Sequence, residues 1–129
     1  MPVTINASPT NGLVATADGS GVMKLQSNGK TTNALAWVNF NGTGTPAIRS
    51  SYNVSSITDN GTGDYAVNLT TAMPDTNYVC VSSSNGSRDT FQTAYPSTTS
   101  AILVGLYQGP VSGNGAVDRS IVQVVVFGN

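Results

Sequence analysis

Six Asn-Gly dipeptides divide the 129-residue chain into short segments, at positions 11–12, 28–29, 41–42, 60–61, 85–86 and 114–115. The 13 Asn and 14 Gly residues would form far fewer such pairs by chance. Asn and Gly tolerate the positive φ angles that both central residues of a type I′ turn require, and this turn joins antiparallel strands. The dipeptides therefore predict a series of β-hairpins.

The segments between these turns have the composition and alternation of β-strands. In residues 64–71, the side chains of Tyr65, Val67 and Leu69 fall on one face, as in a half-buried strand. Residues 119–127 are apolar on both faces, which predicts a central strand or a subunit interface. No segment carries a helical stripe. We predict an all-β protein with strands near residues 2–6, 13–16, 21–26, 34–40, 47–57, 64–71, 77–83, 90–95, 100–107 and 119–127.

The composition excludes several classes of function. Ser, Thr, Asn and Gly account for 58 residues, and charged residues for only 9% of the chain. The absence of His excludes Ser-His-Asp and Cys-His relays, and the single Cys excludes an intrachain disulfide and a Cys-rich zinc site. Five dispersed cations and a net charge of −1 argue against nucleic acid as a partner. Without a bilayer-length apolar run or a signal-peptide pattern, we expect no membrane insertion and synthesis in a cytoplasm.

The aromatic residues divide the chain into two regions. All nine lie between positions 37 and 127, and residues 1–33 contain none. Because aromatic side chains supply much of a buried core, residues 1–33 cannot form a core of their own. We predict that they form an extended N-terminal arm, used for attachment or for intertwining within a trimer; the alternative is a partly disordered terminus. Residues 34–129 are predicted to form a globular antiparallel β-sandwich or jelly-roll-like domain.

The loop at residues 59–64, with the sequence Asp-Asn-Gly-Thr-Gly-Asp, is the candidate metal site. The carboxylates of Asp59 and Asp64, an amide and the backbone carbonyls offer the oxygen ligands that Ca²⁺ prefers. The loop lacks the spacing and closing Glu of an EF-hand, and Asp and Asn also favour turns. We therefore prefer the interpretation as a plain hairpin, and we expect neither a metal nor another cofactor.

The chain offers no set of residues that suggests catalysis. Cys80 lies in an apolar, strand-like segment with no nearby Lys to lower the pKa of its thiol. All six Asp residues lie in or beside Gly, Asn, Ser or Pro turn signals. Turn formation explains them better than the paired carboxylates of a glycoside hydrolase. We predict no catalytic residue and expect that the protein is not an enzyme.

Four aromatic residues are considered for stacking against a sugar: Trp37, Tyr52, Tyr95 and Tyr107. Trp37 has apolar neighbours on both faces of its strand, which places it in the predicted core. Tyr95 and Tyr107 precede Pro and Gly residues that indicate loop starts, so they are the candidate ligand-binding residues. They support the hypothesis of a module that recognises host glycan.

Residues 36–65, with the sequence AWVNFNGTGTPAIRSSYNVSSITDNGTGDY, resemble a module of tail-fibre and other structural proteins of tailed bacteriophages. The resemblance is strongest over residues 36–78 and returns at residues 122–128, and residues 12–26 are similar to segments that precede such modules. It implies a non-enzymatic structural protein of the virion, often homotrimeric and displayed on the particle surface. It supplies no binding residues.

The resemblance also suggests where the protein acts. Such modules usually lie at the end of long fibres, whereas this chain has a short arm, so a capsid decoration or cement protein on the phage head is the alternative. The expected partners are further copies of the chain, in a homotrimer, and a tail or major capsid protein contacted by the arm. Host surface glycan is a further expected partner. We expect synthesis in the host bacterial cytoplasm and a final location on the virion surface.

Overall fold

The computed structural model describes residues 25–27, 30–86 and 88–128. These residues form strands and no helix, so none of the described ranges contains a helical segment able to span a bilayer. The predicted strands near residues 2–6 and 13–16, and most of the predicted arm, lie outside the described residues. The strands are β1 (Gln26–Ser27), β2 (Lys30–Thr31), β3 (Ala36–Asn41), β4 (Ala47–Tyr52), β5 (Val54–Gly61), β6 (Asp64–Leu69), β7 (Val79–Ser84), β8 (Thr90–Thr98), β9 (Ala101–Gln108), β10 (Gly115–Ala116) and β11 (Val122–Phe127).

Two antiparallel sheets pack face to face, which confirms the predicted all-β sandwich. The first sheet has the order β4-β3-β11-β7. In the second sheet β5 pairs with β6, β6 with β9, and β9 with β8, while the short β10 pairs with β9 beyond the end of β6. The strand that is apolar on both faces, β11, lies between β3 and β7, so its predicted central position is confirmed. The short strands β1 and β2 form a separate hairpin.

Strand alternation builds the core between the sheets. Two strands of each sheet direct every second side chain inwards, and these side chains are at most 7% exposed. The rings of Phe40 and Tyr65 meet edge to face across the interior, with their centroids 5.3 Å apart. The inward residues of these four strands are Ala36, Val38 and Phe40 on β3, Tyr65, Val67 and Leu69 on β6, Ile102, Val104 and Leu106 on β9, and Val122, Val124 and Val126 on β11.

The chain changes sheet at Asn53. The sequence predicts one strand over residues 47–57, but β4 belongs to the first sheet and β5 to the second. Asn53 adopts a left-handed φ of 55°, which interrupts the strand. Its side chain accepts a hydrogen bond from the Thr71 amide at 2.8 Å and donates to the carbonyl oxygens of Leu35 and Thr71, each at 3.2 Å. Contacts with residues 18 positions away on either side therefore hold a corner that no local signal reveals.

The Asn-Gly dipeptides are used in more ways than the type I′ prediction allows. Four of them lie in the described residues, and only Asn114-Gly115 has positive φ at both positions, 54° and 145°. The prediction is therefore wrong for the pairs at 41–42, 60–61 and 85–86. In the β5–β6 hairpin, positive φ falls instead on Gly61 and Gly63, at 137° and 66°.

The Asn side chains at 41 and 85 form hydrogen bonds that hold the adjoining segments. Asn41 Oδ1 accepts a hydrogen bond from Thr43 Oγ1 at 2.8 Å and closes the loop after β3. Asn85 Oδ1 accepts from the Ile121 amide at 2.7 Å, and its Nδ2 donates to Ser120 Oγ at 2.9 Å. Asn85 therefore ties the end of β7 to the segment that precedes β11.

Candidate functional site

The outer face of the first sheet carries an apolar row that crosses all four strands. The row consists of Tyr52, Trp37, Val125 and Val81, which are successive cross-strand partners on β4, β3, β11 and β7. Trp37 is 38% exposed and Val81 is 56% exposed. Cross-strand partners on one face lie close enough to form a continuous surface. Contiguous exposed apolar surface of this kind is typical of an interaction site.

The apolar row is flanked on one side by further apolar residues and on the other by a polar row, beside which Arg49 Nη1 lies 3.4 Å from Asn39 Oδ1. Val79 and Phe127 extend the apolar surface, and both are exposed. On the other side runs a polar row in which Ser83 Oγ donates to Gln123 Oε1 at 2.9 Å. A shallow concavity of about 380 Å³ lies between the two rows. The polar row consists of Ser50, Asn39, Gln123 and Ser83.

Trp37 corrects one of the sequence predictions. The apolar residues that flank it in sequence predict a position in the core. Its inward neighbours, Ala36 and Val38, are buried, but the Trp37 side chain lies on the outer face. Trp37 shares its face of β3 with Asn39 and Asn41, so alternation along the strand places the ring outside although the ring itself is apolar.

The outer face of the second sheet carries three exposed aromatic rings, which we call the aromatic face. Phe91, Tyr95 and Tyr107 are 63%, 52% and 57% exposed. Phe91 on β8 and Tyr107 on β9 are direct cross-strand partners. Tyr95 lies four residues further along β8, on the same face because strand side chains alternate, and its partner on β9 is Leu103.

Between the two ends of the aromatic face lies a strip of bare backbone at Gly105. Thr93 on β8 and Asp64 on β6 are its cross-strand partners, and both are exposed. A Cβ atom at position 105 would lie 2.7 Å from Thr93 Oγ1, so the Thr93 hydroxyl leans over the glycine. The strip therefore offers a hydroxyl on one side and a carboxylate on the other side of a main chain that carries no side chain of its own.

The candidate ligand-binding residues lie together on this face, within strands. Tyr107 is the penultimate residue of β9 and lies near the start of the following loop, whereas Tyr95 lies inside β8, which continues past the predicted loop start to Thr98. Pro96 follows Tyr95 within β8. Among the described strands β8 pairs with β9 alone, so it lies at the edge of the second sheet, where Pro is tolerated. Phe91 was missed by the sequence analysis, although its four-residue spacing from Tyr95 on a strand would have placed the two rings on one face.

The candidate metal residues lie at the β5–β6 hairpin. Asp59 pairs with the buried Tyr65, whereas Asp64 pairs with the outward-facing Gly105, so alternation directs the two carboxylates to opposite faces. Asp59 Oδ1 accepts from the Gly61 amide at 3.0 Å, and Asp64 Oδ1 accepts from Asn60 Nδ2 at 3.3 Å. The described residues contain no group of three acidic or Cys side chains placed to hold a metal ion.

A third Asp has a role that turn formation does not explain. Asp118 Oδ1 lies 2.6 Å from the hydroxyl of the fully buried Tyr65 and accepts from the Gly63 amide at 2.8 Å. The Tyr65 hydroxyl also lies 2.8 Å from the carbonyl oxygen of Gly42. Burial raises the pKa of Tyr65 above its ordinary value, and the hydrogen bond to Asp118 raises it further. This cluster fastens the β5–β6 hairpin to the chain before β11, over a separation of 53 residues in sequence.

Cys80 lies on the inward side of β7 and packs against the core. Burial raises the pKa of its thiol to about 11, so the thiol is protonated at neutral pH. A nucleophilic Cys needs the opposite shift, because only the thiolate attacks. The position of Cys80 agrees with the interpretation of a structural residue.

Comparisons with protein-family models, with curated proteins and with solved structures found no match to this chain. The two outer faces of the sandwich differ in chemistry. The apolar row offers a broad uncharged surface, and the aromatic face offers three rings around a polar strip. Both arrangements suit binding.

Proposed function

We propose that the chain is a non-enzymatic structural protein of a bacteriophage virion, of the tail-fibre type, that assembles as a homotrimer. The resemblance of residues 36–78 to tail-fibre modules supports the phage role. The observation that carries the proposed assembly is the apolar row across the first sheet. A free β-sandwich gains nothing from exposing Trp37 and Val81, whereas a subunit gains the free energy of burying them.

The proposed interface is formed by copies of the same chain. None of the eight side chains of the apolar and polar rows is charged, and the Arg49 guanidinium lies beside the polar row, 3.4 Å from Asn39 Oδ1. Surfaces with so little charge repel their own copies weakly, whereas a highly charged face would repel its own copy. The amide and hydroxyl side chains of the polar row can form hydrogen bonds between subunits at the rim of the interface. Neutral surfaces also limit repulsion among many copies crowded on one particle.

The oligomeric state in solution tests the proposal. Light scattering of the full chain is expected to give about 40 kDa, three times the chain mass of 13.2 kDa, at micromolar concentration. Val81→Lys is expected to give 13.2 kDa, because a buried unpaired ammonium in the interface costs several kcal/mol. Ser97→Lys adds the same charge at an exposed position of the second sheet and is expected to leave the trimer intact.

The single Trp gives a second signal from the same surface. Trp37 fluorescence is expected to shift to longer wavelength when Val81→Lys exposes the ring to water, and to stay unchanged in Ser97→Lys. A wild-type chain that remains monomeric at micromolar concentration would refute the assembly. A trimer that Val81→Lys leaves intact would refute the interface. The phage role itself is tested by labelling intact particles with an antibody to the chain.

A further inference from the structure

We propose that the aromatic face of the second sheet binds a neutral oligosaccharide. This site lies on the sheet opposite to the apolar row, so the proposal does not rest on assembly through the first sheet. The three rings of Phe91, Tyr95 and Tyr107 and the strip at Gly105 form the site.

Both outer faces carry aromatic rings, but on the first sheet these rings are mixed with exposed aliphatic side chains. The apolar surface of the first sheet includes the exposed aliphatic side chains of Val79 and Val81, which suit close packing against protein. The large side chains that are most exposed on the second sheet are aromatic. A flat ring stacks against the C–H face of a pyranose and needs no deep pocket to do so. The Tyr hydroxyls add a polar group at the ring edge, which can bond to a sugar hydroxyl.

The glycine strip supplies room for a ligand between the rings. Gly in the interior of a strand costs stability, and it often marks a place where a ligand approaches the main chain closely. At Gly105, φ lies outside the positive range, so the backbone conformation does not require Gly there. Only the movable Thr93 hydroxyl lies within 4 Å of the position that a Cβ would take, so the absent side chain leaves a space bordered by this hydroxyl on one side and by Asp64 on the other. This space allows a sugar ring to reach both polar groups while its neighbours stack on the aromatic rings.

The length and charge of the site define the ligand. Phe91 and Tyr95 are four strand residues apart, a span of about 13 Å, which exceeds one pyranose ring and fits an oligosaccharide. The Asp64 carboxylate accepts several hydrogen bonds and suits sugar hydroxyls. The same negative charge repels sialic and uronic acids. The site therefore favours neutral glycans over acidic ones.

A glycan array that carries neutral and acidic oligosaccharides tests the proposal with the full wild-type chain. Binding to at least one neutral oligosaccharide is expected, and calorimetric titration of the strongest neutral binder then gives its Kd. Tyr107→Ala is expected to raise this Kd about tenfold, the effect of losing one stacked ring. Val111→Ala truncates an exposed side chain in the loop after β9 and is expected to leave the Kd unchanged.

Gly105→Ala provides a variant that keeps the rings. The added methyl group meets only the movable Thr93 hydroxyl, so the fold is expected to persist while the strip is filled. The Kd is expected to rise at least about tenfold, and the melting temperature and mass to stay unchanged. No binding to any neutral glycan, binding to acidic glycans alone, or unchanged affinity in both variants would overturn the proposal. Loss of the trimer in Tyr107→Ala would show that another subunit covers this face and would also overturn it.

Discussion

The Tyr65 hydroxyl provides a stringent test of how the two sheets are fastened together. Tyr65→Phe removes one buried oxygen and leaves the ring in its place against Phe40. The hydroxyl lies 2.6 Å from the Asp118 carboxylate and 2.8 Å from the Gly42 carbonyl oxygen. A hydrogen bond to a charged group contributes about 1.5–3 kcal/mol, and the carboxylate keeps only the Gly63 amide as its described donor. We expect Tyr65→Phe to lower the free energy of unfolding by about 2–3 kcal/mol.

Tyr78→Phe is the matched control. It is the same chemical change at another buried ring, whose hydroxyl lies 2.7 Å from the Thr98 carbonyl oxygen and 2.9 Å from that of Ala101. Both acceptors are neutral, so we expect a loss of about 1 kcal/mol. Urea unfolding at one protein concentration measures both variants, since assembly makes the apparent stability depend on concentration. The difference corresponds to a melting temperature about 5–10 °C lower for Tyr65→Phe than for Tyr78→Phe.

A double-mutant cycle with Asp118→Asn isolates the contact. If the Tyr65 hydroxyl acts through the carboxylate, the two substitutions are expected to couple by about 1–2 kcal/mol. Equal losses for Tyr65→Phe and Tyr78→Phe, together with additive effects in the cycle, would refute the assignment of Asp118 as the partner that holds the hairpin.

Three further predictions test the backbone and the buried titratable groups. Gly63 and Gly44 share a left-handed φ, 66° and 67°. A Cβ at Gly63 would lie 2.5 Å from a backbone oxygen of β9, whereas a Cβ at Gly44 would have nothing within 4 Å. By thermal melting we expect Gly44→Ala to lower the free energy of unfolding by about 1 kcal/mol and Gly63→Ala by at least about twice that. Asn53→Ala loses the side-chain bonds of the corner and strains a positive φ, and Asn53→Gly loses only the bonds, so in urea unfolding Asn53→Gly is expected to be the more stable variant by about 1 kcal/mol. Burial raises the pKa of Cys80 from 9.0 to about 11 and that of Tyr78 from 10.0 to about 12, so the folded state holds protons that the unfolded state releases. The contribution of these two groups to stability is expected to be constant below pH 9 and to fall between pH 9 and 12, as measured by urea unfolding across this range. Cys80→Ala is expected to flatten the first part of that fall. Equal costs for the two Gly variants, a less stable Asn53→Gly, or a flat alkaline profile would contradict the respective reasoning.

The sequence predicts the sandwich well because buried and outward side chains alternate along single strands, and this pattern can be seen within one segment. Tyr65, Val67 and Leu69 on β6 are recognisable one strand at a time, and the predicted inward face is the buried one. The doubly apolar β11 likewise predicts its own central position. Alternation reports only that one face differs from the other. Alternation along β3 also places Trp37 outside, on the face of Asn39 and Asn41, so the prediction of a core position is wrong because it followed the apolar character of the segment instead.

The features that sequence reasoning misses depend on contacts between distant segments. Nothing in its own segment distinguishes Asn53 from other polar residues, and its role follows from hydrogen bonds with the distant Leu35 and Thr71. Asp118 has the same local setting as the other Asp residues, and its contacts with the distant Gly63 amide and Tyr65 hydroxyl give it a different role. The aromatic face shows the same limit, because Tyr107 and Phe91 become neighbours only when β8 pairs with β9.

Some of the many Asn residues connect distant segments of the folded chain, in addition to their role in turns. Asn53 and Asn85 each hold together segments that are far apart in sequence, and they do so with neutral hydrogen bonds. Such bonds are not screened by salt, whereas surface ion pairs weaken as ionic strength rises. A chain with few charges can therefore keep its shape over a wide range of salt while its copies lie close together without repulsion. This property supports the proposed structural role, because a particle protein must keep its fold in whatever medium the particle enters.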